Sequence, residues 1–385
     1  MTLILFARAV LRKSAFILRE EGLRTWVDRA RRALIVRVKR VFQDKSANTA
    51  RWRGLKGRYA GRRVFLVGNG PSLNRTPLHL LKGECTMCFN RFSLMFERLS
   101  WRPSFYATTD DRVLADIAPE LNAVVPQVEL AFFPDLHPYN VDFRDRILAR
   151  DNVYWLWLDR LGFSDDLPYC GMNKTVANVA LQVLAYLGFR EIYLLGVDMD
   201  YREHVSAARH NARDWTATRD DDPNHFDPRY FGVGRQYHHP RMDETLAKFR
   251  EAKDFFDARG VYIANAGVGG KLEVFPRAEF RSLFSVGPLD ELRLLLEPLG
   301  VVPVTASLRG TFPSAVDVRA AAAWRESAEL VIAPLEVALA LIREVVFTHV
   351  PIGPFRDEYL FVRRDSTLRQ PVTMGGGGSP STHSG

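Results

Sequence analysis

The sequence predicts an α/β protein built on a mostly parallel, Rossmann-like sheet with helices on both faces. From Arg62 onward, short apolar segments of strand length alternate with amphipathic segments of helix length. This alternation is typical of a parallel sheet whose strands are joined by helices. Several of the apolar segments end in a polar residue, as expected because such sheets bind ligands beyond the carboxyl ends of their strands.

The first predicted strand, Val64–Val67, leads into the turn Gly68-Asn69-Gly70-Pro71-Ser72-Leu73. Pro71 suits the first turn of a helix, so a helix is predicted after this strand. The later predicted strands are Thr86–Phe89, Ser104–Thr108, Val153–Trp157, Glu191–Gly196 and Val261–Ala264. The polar residues at the strand ends are Asn69, Asn90, Asp110, Asp198 and Asn265.

Two longer helices are predicted, one over about 173–187 that stops at Gly188 and one from Pro240 to Gly260. Residues 201–239 are rich in Asp, Arg and His and show little apolar periodicity. A stretch of this length is too long for a simple connection, so it is predicted to be a lid or a binding loop.

Four parts of the chain are expected. Residues 1–54 form a basic helical arm, 55–286 the Rossmann-type domain, 287–372 a small α/β region and 373–385 a disordered tail. In the small region the pattern predicts strands at Val301–Ala306 and Leu330–Ala333, with helices before, between and after them.

The net charge of +8 over 385 residues is confined to one end of the chain. Residues 1–63 carry 18 Lys or Arg and four acids, a balance of +14, so the remaining residues carry −6. The composition excludes a disordered chain, and three cysteines exclude a disulfide scaffold. No finger or aromatic-interleaved motif accompanies the basic residues, so no nucleic-acid partner is expected.

The basic arm combines apolar residues at helical spacing with Arg in the gaps. Two hypotheses follow: residues 1–45 contact an anionic membrane surface, or the helix packs on the body through its apolar stripe. Arg8, Arg12 and Lys13 interrupt the start of the chain, so neither a signal peptide nor a spanning helix is expected. The expected location is cytoplasmic, with peripheral contact at the inner membrane face.

The turn at residues 68–73 is the main candidate for ligand chemistry. Two glycines allow close backbone approach, and a helix N-terminus offers N–H groups to an anion, so the turn predicts a phosphate-bearing ligand. The alternative is a tight structural turn. Asp198 and Asp200 have the spacing of acids that hold a divalent cation, and a capping role for Asp198 is the alternative.

Histidines in the 201–239 segment are candidates for a general base. His225 lies in Asn224-His225-Phe226, and His239 immediately precedes the Pro240 helix. A histidine in a polar loop can accept a proton near neutral pH, and a solvated surface histidine is the alternative in each case.

Several stretches resemble one superfamily. They are Tyr59 to Asn74, Cys88-Phe-Asn90-Arg91, Leu187 to Asp198, Asn224-His225-Phe226 with Tyr230-Phe231, and Ile263-Ala-Asn265 with Leu272 to Arg277. The superfamily includes the MptE-like 6-hydroxymethylpterin diphosphokinase domain, the bacterial sialyltransferases of glycosyltransferase family 42 and the flagellin-modifying motility accessory factors. The resemblance covers about residues 55–285.

The resemblance implies a donor site and a base. Gly68, Asn69, Gly70, Pro71 and Ser72 would hold the nucleotide end of a donor, with Asn90 near its phosphate or sugar. Asp110, Thr175 and Asn265 would complete that site, although Val176 and Ala177 follow Thr175 where the sialyltransferases have Ser and Gly. His225 or His239 would be the base, with His225 preferred for its Asn-His-Phe context, and Asp198 is the third catalytic candidate.

The function implied is a transferase that uses a nucleotide-activated donor, above all a CMP-sugar glycosyltransferase acting on a bacterial surface glycan or flagellin. One alternative is an ATP-dependent pterin diphosphokinase, in which Asp110 and Asp198 would hold Mg²⁺. The second alternative is a non-catalytic adaptor at the membrane surface.

Overall fold

The computed structural model describes residues 22–42, 45–135, 143–210 and 214–286, the strands 301–303, 330–333 and 359–363, and isolated positions between 11 and 19 and at 294. The chain divides into two compact units, Met1–Phe284 and Ser285–Gly385. The first unit contains an eight-stranded, fully parallel sheet. The predicted α/β fold class is confirmed.

The sheet has the strand order β11-β7-β1-β2-β3-β4-β5-β6. Its strands are β1 Arg63–Val67, β2 Cys85–Phe89, β3 Phe105–Ala107, β4 Leu130–Pro134, β5 Val153–Arg160, β6 Tyr169–Gly171, β7 Glu191–Leu195 and β11 Tyr262–Asn265. The described α-helices are α1 Gly22–Phe42, α2 Ser46–Arg53, α3 Asp111–Val124, α4 Val176–Leu187 and α5 Met242–Asp257. The two long helices predicted from the sequence correspond to α4 and α5.

The chain changes direction across the sheet between β1 and β7. Strands β1 to β6 are added one after another on one side, and the chain then returns to place β7 and β11 on the other side of β1. In open α/β sheets, ligands bind outside the carboxyl ends of the strands at such a switch point. The turn at residues 68–73 and the segment after β7 therefore meet where this fold places its binding crevice.

Three local features differ from the prediction. Strand β4, which follows the 3₁₀ turn Val125–Gln127, and β6, which has only three residues, were not predicted. The predicted helix after β1 is wrong: the structure has two 3₁₀ turns, Pro71–Arg75 and Leu78–Leu81. Pro77 disfavours helical geometry at Thr76, whose φ of −92° and ψ of 128° are extended.

Residues 201–239, predicted as a lid or loop, contain a small antiparallel sheet of β8 Ala208–Arg209, β9 Asp214–Thr216 and β10 Gln236–His238. Trp215, Ala217 and Tyr237 form its own buried cluster. This segment therefore has a packed core of its own. We call it the 201–239 segment below.

The second unit contains a three-stranded antiparallel sheet of β12 Val301–Pro303, β13 Leu330–Ala333 and β14 Tyr359–Arg363. Strands β12 and β13 lie in the stretches predicted as strands, and β14 was not predicted. The helices predicted for residues 287–372 and the tail at 373–385 lie outside the described residues.

Helix α2 connects the N-terminal segment to the sheet. Trp52 is fully buried, and its ring contacts those of Phe132, Tyr154 and Tyr186. Its Nε1–H donates to the carbonyl of Trp155 on β5 at 2.9 Å. The last residues of the predicted arm thus belong to the hydrophobic core.

Helix α1 differs from α2 in its environment. Leu23, Val27, Leu34 and Val38 on α1 are all exposed. Within the part of the chain that the structure describes, no helix has the length and apolar content needed to cross a bilayer.

Replacing Trp52 tests the role of α2. Trp52→Ala removes a fully buried ring, and we expect the free energy of unfolding to fall by about 3–5 kcal/mol. Urea unfolding followed by circular dichroism measures this change. Leu161→Ala, at a leucine that is 57% exposed, is the control and should change stability by no more than about 0.5 kcal/mol. Equal stabilities of the two variants would contradict the assignment of Trp52 to the core.

Candidate functional site

The turn after β1 is bonded to the segment that follows β7. The N–H of Gly68 donates to the carbonyl of Leu195 at 2.7 Å, and that of Gly70 donates to Gly196 at 2.8 Å. The N–H of Ser72 donates to Asp198 Oδ2 at 2.9 Å, and the Ser72 hydroxyl donates to Asp198 Oδ1. Both carboxylate oxygens of Asp198 are thus used within the protein.

The two glycines of this turn are required by the approach of protein atoms. A Cβ on Gly68 would overlap the carbonyl of Gly196, and a Cβ on Gly70 would overlap the Asp198 carboxylate. The N–H groups of Gly68, Gly70 and Ser72 all have protein acceptors, and Pro71 has no N–H. The predicted cradle of backbone amides for a phosphate is therefore not formed by these three groups. The part that these residues play in donor binding stays a prediction.

Several polar atoms at the carboxyl-terminal edge of the sheet, where the parallel strands end, lack hydrogen-bond partners. Within the described residues, Asn69 Oδ1, Asn90 Oδ1 and Thr109 Oγ1 are buried and make no hydrogen bond. They follow β1, β2 and β3, which are neighbours in the sheet, and the Asn69 amide donates to the Phe89 carbonyl at the end of β2. A buried polar atom without a partner is costly, so these three atoms favour a ligand or water that donates to them. The sequence pattern had not singled out Thr109.

Strained backbone also lies at this edge. Among the described residues, four that are not glycine have positive φ: Asn90 at 57°, Asn173 at 43°, Lys174 at 73° and Met199 at 51°. They follow the carboxyl ends of β2, β6 and β7. Residues held in such conformations cluster at functional sites, which supports a ligand-binding role for this edge.

His225 forms an ordered pair with a carboxylate. Its Nδ1 lies 2.7 Å from Asp222 Oδ2, and its ring stacks on Tyr230 with centroids 3.7 Å apart and planes 3° apart. Asp222 also accepts the N–H groups of Asn224 and Phe231. With Nδ1–H donating to the carboxylate, Nε2 of the neutral ring is the proton acceptor.

The ring of His225 remains accessible. Its side chain is 20% exposed, and its Nε2 makes no hydrogen bond to the described residues. Asp222 was not among the predicted residues, although its position three residues before His225 could have suggested it. Asp222 and His225 thus form a histidine–carboxylate pair in which the carboxylate fixes the orientation of the ring.

The Asp222–His225 pair is bonded to the turn after β1. The N–H of Phe226 donates to the carbonyl of Asn69 at 2.9 Å, and the Asn74 amide donates to the carbonyl of Phe226 at 2.8 Å. Asn90 is hydrogen-bonded through its side-chain amide to Tyr230, on which the His225 ring stacks. Burial raises the pKa of Tyr230 well above its usual value, and the hydrogen bond from Asn90 acts to lower it. The structure therefore brings His225, Asn69 and Asn90 together.

His239 has different surroundings. Its ring lies between those of Tyr201 and Trp215, with centroid distances of 5.0 and 4.7 Å. No carboxylate of a described residue is bonded to it, in contrast to His225. The two histidines proposed from the sequence thus differ in the feature that would orient a base.

The other predicted site residues have structural bonds. Asp110 Oδ1 caps α3 by accepting the N–H groups of Arg112 and Val113. Thr175 Oγ1 caps α4 through the N–H of Ala177. The Asn265 side chain joins Leu272 to Gly267. These bonds do not exclude contact with a donor, and the donor-binding role of Asp110, Thr175 and Asn265 stays a prediction.

The two predicted Mg²⁺ ligands, Asp110 and Asp198, follow different strands of the sheet. Asp198 follows β7 and Asp110 follows β3, and these strands are three positions apart in the sheet, which corresponds to about 14 Å. Ligands of one Mg²⁺ each lie about 2.1 Å from the ion. The described residues contain no group of three or more His, Cys, Asp or Glu suited to a metal. Both carboxylates also accept hydrogen bonds within the protein, Asp198 from Ser72 and Asp110 from Arg112 and Val113. The Mg²⁺ role of Asp110 and Asp198 stays a prediction.

Comparisons with known proteins give one structural likeness. Neither a family model nor a curated protein matches the sequence. Among solved structures, the chain is similar to a MAf glycosyltransferase from Magnetospirillum magneticum AMB-1, with 18% sequence identity and a TM-score of 0.38. The likeness covers 66% of this chain and 41% of that protein. This chain thus matches less than half of that protein's length.

The Gly70–Asp198 contact can be tested by a double-mutant cycle. Gly70→Ala places a methyl group against the Asp198 carboxylate, so we expect stability to fall by about 1–3 kcal/mol. Gly70→Ala with Asp198→Ala should lose less than the sum of the single changes, because the overlapping carboxylate is removed. Urea unfolding measures all three variants. Gly162→Ala is the control, since a Cβ there meets nothing within 4 Å; strictly additive losses would contradict the contact.

Asp227, two residues after His225, gives a prediction about pH. Burial acts to raise the pKa of its carboxyl, but hydrogen bonds from Arg229 and the charges of Arg229 and Arg98 hold that pKa below its usual value. The resulting stabilisation is present above the ordinary Asp pKa of about 3.9 and is lost as pH falls through the lower folded pKa.

Asp227→Asn should therefore unfold more easily at pH 7, and its stability should fall less steeply than that of the unaltered chain between pH 5 and 2. Thermal unfolding at stepped pH values measures both effects. Asp151→Asn, at an exposed aspartate, is the control and should keep the original slope. An unchanged slope in Asp227→Asn would show that this carboxylate does not contribute.

Proposed function

We propose that this chain is a transferase that uses a nucleotide-activated donor, and specifically a glycosyltransferase for which a CMP-sugar is the first donor to test. The observation that carries the proposal is the Asp222–His225 pair, which is bonded through Phe226 to the turn at the β1–β7 switch point. The motifs that resemble the sialyltransferase superfamily support the same reaction class.

In the proposed reaction, His225 is the general base. Its Nε2 takes the proton of an acceptor hydroxyl while the oxygen of that hydroxyl forms a bond to the anomeric carbon of the donor. The bond between that carbon and the donor phosphate oxygen breaks, and the phosphate leaves with the electron pair. Asp222 is the positioning residue: it holds Nδ1–H and stabilises the imidazolium that forms.

The donor would lie along the carboxyl ends of β1, β2 and β3. The unpartnered oxygens of Asn69, Asn90 and Thr109 are acceptors, so they suit the amino group of a nucleobase and the hydroxyl groups of a sugar. An apolar ligand would leave these oxygens without partners and is disfavoured. The three atoms therefore favour a nucleotide-sugar over a lipid at this edge.

The pterin diphosphokinase alternative is not proposed. It requires Mg²⁺ beside ATP phosphates, and the two carboxylates expected to hold the ion follow strands that are three positions apart. The proposed glycosyl transfer uses no step through a metal.

A nucleotide screen tests the proposal. The full chain is titrated with CMP, CDP, UDP, GDP and ATP by calorimetry, each with and without Mg²⁺, and donor cleavage is followed as release of CMP from CMP-sugars. We expect CMP to bind without Mg²⁺ and a CMP-sugar to be cleaved. Binding of ATP with Mg²⁺ and no response to CMP would overturn the glycosyltransferase proposal. Binding of no nucleotide would support the adaptor hypothesis instead.

Variants of the pair test the base. His225→Ala should lower kcat for donor cleavage by about 10²–10⁴-fold with little change in CMP affinity, because general-base catalysis contributes on that scale. Asp222→Asn should lower kcat less and alter its pH profile, since the imidazolium loses its carboxylate. Both effects are measured by steady-state kinetics over pH 5–9.

Matched controls separate this role from a loss of fold. His238 is also paired with a carboxylate, Asp214, at 2.9 Å, and His238→Ala should retain activity. Full activity in His225→Ala together with inactivity in His239→Ala would move the base to His239. Inactivity in His225→Ala, His238→Ala and His239→Ala alike, with unchanged CMP affinity, would contradict a specific role for the Asp222–His225 pair.

A further inference from the structure

Helix α1 exposes an apolar stripe. Leu23, Val27, Leu34 and Val38 are exposed by 66%, 49%, 62% and 48%. At 100° per residue they fall within about 60° of one another on the helix surface. We call these four residues the α1 stripe. The α1 stripe differs from single exposed leucines elsewhere in the chain, because its four members lie along one face of a 21-residue helix.

The alternative that α1 packs on the body through this stripe does not agree with the structure. Packing on the sheet unit would bury these side chains, as it buries Trp52 on the neighbouring α2. Only residues 43–45 separate the two helices. The N-terminal segment is therefore held to the core by α2, while the stripe of α1 stays uncovered by the described residues.

The charge of α1 selects the kind of partner. The helix contains seven Lys or Arg and one acid, Asp28, and Arg24 and Arg31 are exposed beside the stripe. A second copy of α1 would bring two strongly positive surfaces together, which like-charge repulsion opposes. Nucleic acid would match the charge but offers no apolar surface to the stripe. An anionic lipid surface matches both, because its acyl boundary accepts apolar side chains and its headgroups attract Arg.

We propose that α1 lies in the plane of an anionic lipid surface, with the α1 stripe at the acyl boundary and its basic residues at the headgroups. This surface is separate from the proposed donor site, since the stripe lies N-terminal to α2 and none of its residues belongs to the turn at 68–73 or the 201–239 segment. Lipid binding would hold the sheet unit at the membrane through the bonds of Trp52 and Asn48 to Trp155.

Vesicle sedimentation of the full chain tests the proposal. Vesicles of phosphatidylcholine alone are compared with vesicles containing about 30% phosphatidylserine, a composition that gives a negative surface potential. We expect binding to be at least 10-fold tighter to the anionic vesicles and to weaken sharply between 50 and 500 mM NaCl, because salt screens the charges. Absence of binding to anionic vesicles at 50 mM NaCl would overturn the proposal.

Two variants separate the apolar and charged contributions. Leu23→Asn, Val27→Asn, Leu34→Asn and Val38→Asn together should reduce anionic-vesicle binding by at least 10-fold. Arg24→Glu with Arg31→Glu should reduce the preference for anionic over neutral vesicles. The control, Leu148→Asn with Leu161→Asn, alters two other leucines that are each 57% exposed and should bind as the unaltered chain does.

Further measurements address the other partners. Sedimentation velocity of the chain and of the four-residue variant reports on self-association, and a duplex DNA competitor reports on nucleic acid. The lipid assignment would be overturned if the chain is a dimer that the four-residue change converts to a monomer. It would also be overturned if DNA displaces the chain from vesicles when DNA phosphate and anionic lipid are present at equal concentrations of charge. CMP affinity is measured alongside. An unchanged affinity in the variants shows that the fold is intact and keeps this result independent of the proposed function.

Discussion

The close contact between the turn after β1 and the segment after β7 is the constraint on which the candidate site depends. It requires glycine at residues 68 and 70, because a Cβ at either position would overlap residues 196–198. The Ser72–Asp198 hydrogen bonds then fix the turn. With the turn fixed, the Asn69 amide reaches the end of β2 and the Asn69 carbonyl accepts the N–H of Phe226. The contact between these two backbone segments thus positions Asn69 against both the end of β2 and the 201–239 segment.

The orientation of His225 is maintained by a second set of bonds. Arg91, which follows β2, donates to the carbonyl of Tyr230 at 2.6 Å and pairs with Glu120 on α3. Tyr230 supports the flat face of the His225 ring, and Asp222 holds its edge. The 201–239 segment is also paired to α3 through Arg235 with Asp116 and Arg112 with Asp214. A histidine in a long connection is thereby held by ring stacking and a carboxylate, within a segment that is paired to α3.

The sequence pattern predicted the strands whose carboxyl ends carry the candidate site, but it missed β4 and β6. Strand β4 follows the 3₁₀ turn Val125–Gln127 and Glu129, so polar residues interrupt the apolar stretch in which it lies, and β6 has only three residues. At the candidate site, Asn69, Asn90 and His225 were predicted because their types suit ligand chemistry, and their roles stay predictions. Asp222 and Thr109 were missed because their roles arise only from neighbours in space. The sequence offered a cation site or a cap for Asp198, and its bonds to Ser72, 126 residues away, could not be read from either pattern.

That separation along the chain also has a consequence for synthesis. Strand β1 needs β7 to complete its hydrogen bonding, yet the paired residues of the two strands are 128 positions apart. At about 5–20 residues per second, a ribosome takes about 6 to 25 s to supply the second partner after the first. During that interval β1 can pair with β2 on one side only, so its other edge is open to pairing with another chain. The side of β1 that later pairs with β7 is therefore exposed to misassembly while the protein is being made.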